Sequence, residues 1–564
     1  VLLNTLDSEK KQPAFRTILV IAAIFFTLTL TLSLNRYYSF FNPYDQGIFN
    51  QVFWNSIHGR FFQSSLSSTL SSAVLRDGQL PAVDYHRLGQ HFTPALLLWL
   101  PFYALHPSAS TLVIIQVSLM TAGGLVLYAL ARQSLQPALA AMITASFYAA
   151  NAVIGPTVSS FHDSSQTPLL VFSLLLALEK RVWWLFWLLA GLVLLVREDA
   201  GIILFGIGIY LTLSRRFPRV GLALCTISFG YILLATNVIM PFFSDDSSRR
   251  FTVEHFQNFT QNDTQVSTVD LILKILSQPM QLIRQIVTPI GTKANYLFYQ
   301  WLPLAFVPMF SGSAWLMVGF PLLALFIRDP DAPGNPLAIH LRYAIALLPG
   351  LFYGAILWWS AHADKFRPIV RRFWLGCLVL SLLLLIRHNP HQIFYFATPL
   401  KAISHSTKIY VPLSRQWQHA QAVRELMSQI PPDASVAATT YAVPPLSSRR
   451  EIIRLTGRRI VDDSVEFFAA LQLRNDRNEV ILVDYVLADV WQSKQIQLAN
   501  KNVQDEQAQF QSLFPILDQL IAGQKYGLRE VRDGVLLMQK GVPSEAQALS
   551  AWAEFRASLQ EPGV

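Results

Sequence analysis

The feature that most constrains this chain is a succession of apolar stretches between Thr17 and about Arg387, separated by short polar connections. A bilayer-spanning helix needs about 20 mostly apolar residues, because in hydrocarbon the backbone must satisfy its own hydrogen bonds. Candidate spans cover 17–35, 109–131, 137–158, 165–179, 182–196, 200–214, 220–243, 294–310, 312–328, 341–361 and 372–388. The expected fold is therefore a polytopic α-helical membrane protein of about 11 transmembrane helices. The pair 182–196 and 200–214 is short, so it must thin the bilayer or sit in a bundle without crossing fully. Only 14% of the residues are charged, against about 25% in soluble proteins. Cys225 and Cys377 lie inside apolar runs and read as small buried hydrophobes. No small-residue cleavage site follows the first run, which reads as a retained helix.

Threading follows from the excess of Lys and Arg in cytoplasmic loops. With the N-terminus cytoplasmic, that side holds Lys10, Lys11, Arg16, Arg132, Lys180, Arg181, Arg215, Arg216, Arg219, Lys365, Arg367, Arg371 and Arg372. The outer side then receives the loops 36–108 and 244–293 and everything after about Asn389. Residues 1–388 form the membrane domain in this reading, and 389–564 an extracytoplasmic domain. The formal charge of +9 is explained by these loops. No basic, aromatic-studded face or motif suggests a nucleic-acid partner.

The C-terminal part alternates helix and strand signals, as a small α/β soluble domain would. Ser414–Ile430 has helical spacing and ends at Pro431-Pro432; Ser435–Thr439 and Glu479–Val483 read as short strands. Tyr526–Lys540 reads as a hairpin around Asp533-Gly534. No glycine-rich phosphate loop follows a strand.

Ionisable groups near a membrane are costly, so their placement is informative. Here they gather at the outer ends of spans: Asp45 after the first, Asp84, His86 and His91 in the same loop, and His162-Asp163 after the third. Arg197-Glu198-Asp199 forms the turn between the fifth and sixth, and His340, Arg342 and Tyr343 open the tenth. Plainer readings stand beside these. Asp45 could cap a helix over Gly47–Ile57, and His162-Asp163 could cap the following one. The histidines at 86 and 91 are poorly spaced for a shared metal, and Asp245-Asp246 reads as a solvated loop. Trp183, Trp184, Trp187, Trp358 and Trp359 suit interfacial anchors. The turn at 197–199 is hardest to explain as structure alone, since Gly, Ser or Asn would turn the chain at far less desolvation cost.

At these residues the chain resembles a family of bacterial and archaeal multispanning proteins of unknown function, itself similar to GT-C glycosyltransferases that use polyprenyl-phosphate sugars. The matching elements are Tyr44-Asp45-Gln46-Gly47-Ile48-Phe49-Asn50-Gln51, Leu88-Gly89-Gln90-His91-Phe92-Thr93-Pro94 and Phe161-His162. Arg197-Glu198-Asp199-Ala200-Gly201, Arg342-Tyr343 and Asp433-Ala434-Ser435-Val436 follow in order. The chain departs from the family in carrying Gln90 where Asp is usual and Arg197 where Lys is usual. It also reads Ser160-Phe161-His162-Asp163-Ser164 where Asp-Phe-His-Pro-Glu is common. The loss of two acids weakens the case for a divalent metal; whether one takes part, and what would ligate it, stays open.

The resemblance implies an inverting, GT-C-type glycosyltransferase in the inner (plasma) membrane, moving a sugar from a polyprenyl-phosphate donor to an envelope glycan, lipid or protein acceptor on the outer face. It implies Asp45 as catalytic base or metal ligand. His91, His162, Asp163, Arg197, Glu198, Asp199, Arg342 and Tyr343 are then candidates for substrate binding, with Lys293 as a further cation for the departing phosphate. The competing reading is a transporter or flippase of a lipid-linked or hydrophobic solute. Transporters often carry internal repeats and polar sites at the bilayer midplane; here no repeat is evident and the acids cluster at one face.

Overall fold

In the computed structural model the helices Pro13–Tyr38, Ala109–Ala131, Pro218–Phe243, Arg342–Ala361 and Pro368–Leu385 are long and apolar enough to cross a membrane. Pro137–Tyr148 and Asn151–Ser159 make a sixth span if their 43° bend is counted within one. The structure describes residues 13–250, 255–260, 266–329, 336–388, 411–455, 471–499 and 504–560. Lys10, Lys11 and the domain boundary at 389 lie outside these.

The expected count of about eleven full spans is not confirmed. Thr167–Glu179, Trp183–Leu194, Gly201–Leu213 and Gly312–Phe326 are helices of 12 to 15 residues, only about 18–22 Å long. The stretch 294–310 is not one helix: Ile290–Trp301 ends in a tight turn, and Ala305 and Phe306 both take positive φ before Val307–Phe310. The Pro303 carbonyl freed there accepts from Trp374 Nε1 at 2.8 Å. Side-chain rescue of this kind lets irregular backbone persist at membrane depth.

The chain divides into two compact units. One comprises 1–33, 88–101 and 113–389; the other comprises 34–87, 102–112 and 390–564. Segments 34–87 and 102–112 thus go with the C-terminal sheet in this division.

The helical unit has one large core, with a smaller cluster around Phe256, Phe259 and Leu271 beside it. Phe147 meets Phe172 and Phe352 edge-on at 5.8 and 5.5 Å, and Trp359 stacks on Trp374 at 5.6 Å. Without a hydrophobic drive between helices in lipid, small residues permit close approach. Gly206 is one: a Cβ there would collide with the Met317 carbonyl.

The second unit is built on strands β1 (Val436–Ala438), β2 (Ile452–Arg454), β3 (Gln472–Arg474), β4 (Val480–Leu482), β5 (Tyr485–Asp489), β6 (Tyr526–Arg532) and β7 (Val535–Lys540). Five form a mixed sheet in the order β2-β1-β5-β7-β6, β1 parallel to both neighbours and β7 antiparallel to both of its own; β3 and β4 pair separately. Asp533 and Gly534, both at positive φ, turn β6 into β7, as a two-residue hairpin requires. Side chains alternate between two buried faces. Ala437, Val486, Leu536 and Met538 pack against Leu513, Leu517 and Trp552, on the helices Gln504–Ala522 and Ala546–Gln560. Val436, Leu487, Val535 and Leu537 pack against Ala420 and Val423 of the helix Leu413–Met427, and against Phe40, Tyr44, Ile48 and Leu66. The segment from Phe40 to Leu66 thus covers one face of the sheet.

A buried ionic clamp holds the hairpin. His419 is fully enclosed, with Nδ1 2.8 Å from Asp533 Oδ2 and Nε2 2.9 Å from Asp489 Oδ2. Arg415 grips Asp533 with two bonds of 2.6 Å. Burial opposes a charge on His419, but the two aspartates outweigh it and push its pKa up to about 9. Burial would raise Asp533, yet His419 and Arg415 hold it at about 2.

Candidate functional site

In the helical unit, the predicted residues at 91, 163, 197–199 and 342–343 come together around one turn. That turn links the helices Trp183–Leu194 and Gly201–Leu213 and carries Arg197, Glu198 and Asp199. Glu198 straps the segment 91–92 to it: Oε1 lies 2.8 Å from His91 Nδ1 and Oε2 accepts the Phe92 amide at 3.0 Å. The Ala95 amide adds a bond to the Leu195 carbonyl at 2.9 Å. His91 and Glu198 are both buried, so a charge-assisted pair is the arrangement that spares the carboxylate an uncompensated desolvation.

Arg197 is buried among three acids. Its Nε lies 3.4 Å from Glu198 Oε1 and 3.4 Å from Asp199 Oδ1, and Nη1 lies 4.0 Å from Asp163 Oδ1. Burial alone would favour loss of its proton, but Asp199, Glu198 and Asp163 together raise its pKa and keep it cationic. Asp163 opens the tight turn Asp163–Gln166 and accepts the Ser164 amide at 2.7 Å. It therefore has a turn-forming bond as well as its place beside Arg197.

His162 is held from behind. Its amide donates to Gln116 Oε1 at 3.0 Å and its Nε2 lies 3.0 Å from Ser160 Oγ. Gln116 also accepts from Ser165 Oγ at 2.6 Å and donates to the Thr157 carbonyl at 2.9 Å. It thus closes the loop after the broken span. Sequence reasoning passed over Gln116; its signal was a lone amide within the apolar run 109–131.

A second omission is Arg328, just past the helix Gly312–Phe326. Its guanidinium lies 5.3 Å from the centroid of the Tyr343 ring, which Arg342 also faces at 5.1 Å. Its Nη2 is 4.0 Å from Asp199 Oδ2. Within Arg328-Asp329-Pro330-Asp331 it reads as part of a solvated turn. Arg197, Arg328, Arg342, Tyr343 and Asp199 line one cavity of about 70 Å³, with Ser164 and Thr167 at its side and Ile203, Pro321 and Leu325 as apolar wall. One water needs about 10–15 Å³ by the same measure, so there is space for a small anionic group. Asp163 and Glu198 lie outside this lining, and Asp199 is the one acid in it.

Two further predicted residues have other surroundings. Lys293 donates to the Thr288 and Phe326 carbonyls at 2.8 and 3.0 Å, and to Gln285 O. Asp45 belongs to the sheet-containing unit. The helix there starts at Asp45 and not at Gly47, with Tyr44 as N-cap and no side-chain cap bond. Asp45 is thus a first-turn acid favoured by the helix dipole.

The rest of that motif is a dock. Asn50 Nδ2 donates to Ser447 Oγ at 2.8 Å and Asn50 Oδ1 accepts from Tyr103 Oη at 2.7 Å. Gln51 Nε2 donates to Ser65 Oγ and to the Arg449 and Arg450 carbonyls, while Oε1 accepts from Ser64 Oγ and the Leu66 amide. Gly47 lets the helix approach: a Cβ would lie 2.8 Å from Val443 Cγ1.

Among the described residues no group of three or more His, Cys, Asp and Glu side chains is arranged to hold a metal ion. The acids nearest the cavity instead surround Arg197, a donor set unsuited to a divalent metal.

No curated protein matches the chain. Among solved structures it is similar to the archaeal oligosaccharyltransferase AglB from Archaeoglobus fulgidus in complex with an inhibitory peptide and a dolichol-phosphate, at 12% identity and TM-score 0.41, covering 93% of this chain and 75% of that one. It is also similar to the Archaeoglobus fulgidus oligosaccharyltransferase in complex with Zn and sulfate, at 12% identity and TM-score 0.40, covering 92% and 73%. TM-scores of this size transfer no residue role. The match that decides membership is to a family model, the DUF2079 predicted membrane proteins, and since it runs over residues 36–537, the chain belongs to that family.

Proposed function

We propose that this membrane protein is a glycosyltransferase of the GT-C kind, which moves a sugar from a polyprenyl-phosphate donor to an envelope acceptor at the outer face of the plasma membrane. The observation that supports it is the cavity lined by Arg197, Arg328, Arg342 and Tyr343, with Asp199 as its single acid. Such a lining suits a phosphate, and guanidinium groups match phosphate oxygens two at a time.

In this reading the acceptor oxygen attacks the anomeric carbon and the carbon–oxygen bond to the phosphate breaks, with inversion. The proton of the acceptor hydroxyl goes to a carboxylate, for which the family resemblance nominates Asp45 and the cavity lining offers Asp199. The electron pair leaves with the phosphate, whose growing charge Arg328 and Arg342 stabilise. Arg197, already enclosed by acids, supports the wall and contributes less to the anion. Glu198 and His91 act as positioning residues that hold the turn.

The test is sugar transfer by the purified chain in liposomes from a panel of polyprenyl-phosphate sugars. Arg328→Gln and Arg342→Gln should each lower transfer at least tenfold while the protein stays monodisperse. Solute flux without transfer from any donor would favour a transporter instead.

A further inference from the structure

We propose that the helix pair Thr268–Ser277 and Pro279–Val287 lies in the lipid–water interface, with one apolar face seated among acyl chains at headgroup depth. The inference is independent of the proposed transferase activity. Val269, Leu273, Leu276, Met280, Ile283, Val287 and Ile290 are all exposed, by 43% to 78%. They recur at alternating steps of four and three, so each helix presents one outward stripe.

The stripe is not the exposed side of a frayed segment. The adjacent edge of the same helices, Leu271, Ile275, Leu282 and Ile286, packs with Phe256, Phe259, Val266, Leu323 and Ile327. The start of the pair is tied to the span Pro218–Phe243: the Thr268 amide donates to Asn237 Oδ1 at 3.1 Å and Thr268 Oγ1 to Thr236 Oγ1 at 2.8 Å. Its end is tied down by Lys293, which satisfies C-terminal carbonyls of Pro279–Val287 and the Phe326 carbonyl together. Both apolar edges are therefore held in fixed orientation, one inward and one outward.

Lipid fits this face better than a protein partner. The stripe continues into apolar surface at both ends: Phe242, 85% exposed, closes the preceding span, and Ile290 and Phe298 are exposed on the following helix. A coiled-coil partner would need the four–three spacing sustained over three or more heptads of unbroken helix. Here the chain breaks at Gln278-Pro279, leaving helices of 10 and 9 residues. The polar edge carries Asp270, Lys274 and Arg284, a net positive charge as amphipathic helices on anionic membranes have. Lysine and arginine there can also reach headgroup phosphates.

The test uses the full chain, one copy per nanodisc of phosphatidylcholine containing phosphatidylglycerol, with Cys225 and Cys377 replaced. Single cysteines at Leu276, Met280 or Ile283, and at Asp270 or Arg284 as polar controls, carry an environment-sensitive fluorophore. The expected result is several-fold stronger quenching at the apolar positions by lipids spin-labelled near the top of the acyl chain, with protection from aqueous iodide. The polar controls should show the opposite. Equal iodide access at both sets, or strongest quenching by labels near the bilayer centre, would overturn the proposal. So would efficient Leu276→Cys disulfide cross-linking between copies in multi-copy discs, which would assign the face to a second chain.

Discussion

His91 Nδ1 lies 2.8 Å from Glu198 Oε1, joining segments more than a hundred residues apart inside the helical unit. Because the same carboxylate accepts the Phe92 amide and neighbours Arg197, Glu198→Gln should destabilise the protein by about 3–5 kcal/mol, the usual cost of breaking a buried ion pair. His91→Ala should cost about 1–3 kcal/mol. The double variant should lose less than the sum, read as thermal unfolding in detergent; full additivity would mean the two side chains do not interact.

Gly47→Ala tests the dock. The added methyl must displace the branched Val443 side chain, and overpacking of this kind costs about 1–3 kcal/mol. The loss should appear as a lower melting temperature and as faster proteolysis of the sheet-containing unit. An unchanged melting temperature would show that Val443 yields freely.

The His419 clamp gives stability a pH dependence of known sign. The folded pKa, about 9, lies above the usual value near 6.5. Its contribution is therefore full below about 6.5 and is lost as pH rises through about 9. Asp533, held at about 2, acts oppositely: its contribution is present above about 3.9 and is lost as pH falls toward 2. Melting temperatures should decline between about pH 7 and 10, and His419→Gln should flatten that decline. Parallel curves for the two proteins would rule the clamp out as its source.

Asp45→Asn should abolish most transfer while leaving a folded protein. Asparagine keeps the shape and much of the hydrogen-bonding capacity but loses the basicity, and loss of a general base costs about 10²–10⁴-fold in rate. Undiminished transfer by Asp45→Asn would remove Asp45 from the chemistry and shift attention to Asp199, the acid in the arginine cavity.

Threading is testable separately. Alkaline phosphatase fused at the C-terminal end should be active, and fused after Lys365 inactive, if the N-terminus is cytoplasmic. The reverse pattern would place the sheet on the other side.

What was legible in the sequence follows from the range of the interaction. Ala109–Ala131 is a predominantly apolar run without a charge, and its ends coincide with those of the expected span. The hairpin at Asp533-Gly534 was equally readable, since two adjacent positive-φ positions leave few residue choices. The break at Ala305-Phe306 was hidden because both residues are apolar; the flanking Pro303 and Pro308 were the available hint. Least visible were the long-range polar pairs. Asn50 and Gln51 stand at the end of a readable motif, but nothing local announces that their partners are Ser447, Arg449 and Arg450. Arg328 was missed for the same reason: its relation to Tyr343 exists only once the helices pack.

The bond from Asn50 to Ser447, 397 positions apart, also fixes a parity. Both residues sit in one folded unit, so they face the same side of the bilayer, and an even number of crossings must separate them. Among the described residues, the span-length helices between them, Ala109–Ala131, the bent pair from Pro137 to Ser159, Pro218–Phe243, Arg342–Ala361 and Pro368–Leu385, number five. Counted as one crossing, the bent pair makes the number odd, and the shorter apolar helices must then supply an odd number of further crossings; counted as a re-entrant loop it leaves four, and they need supply none.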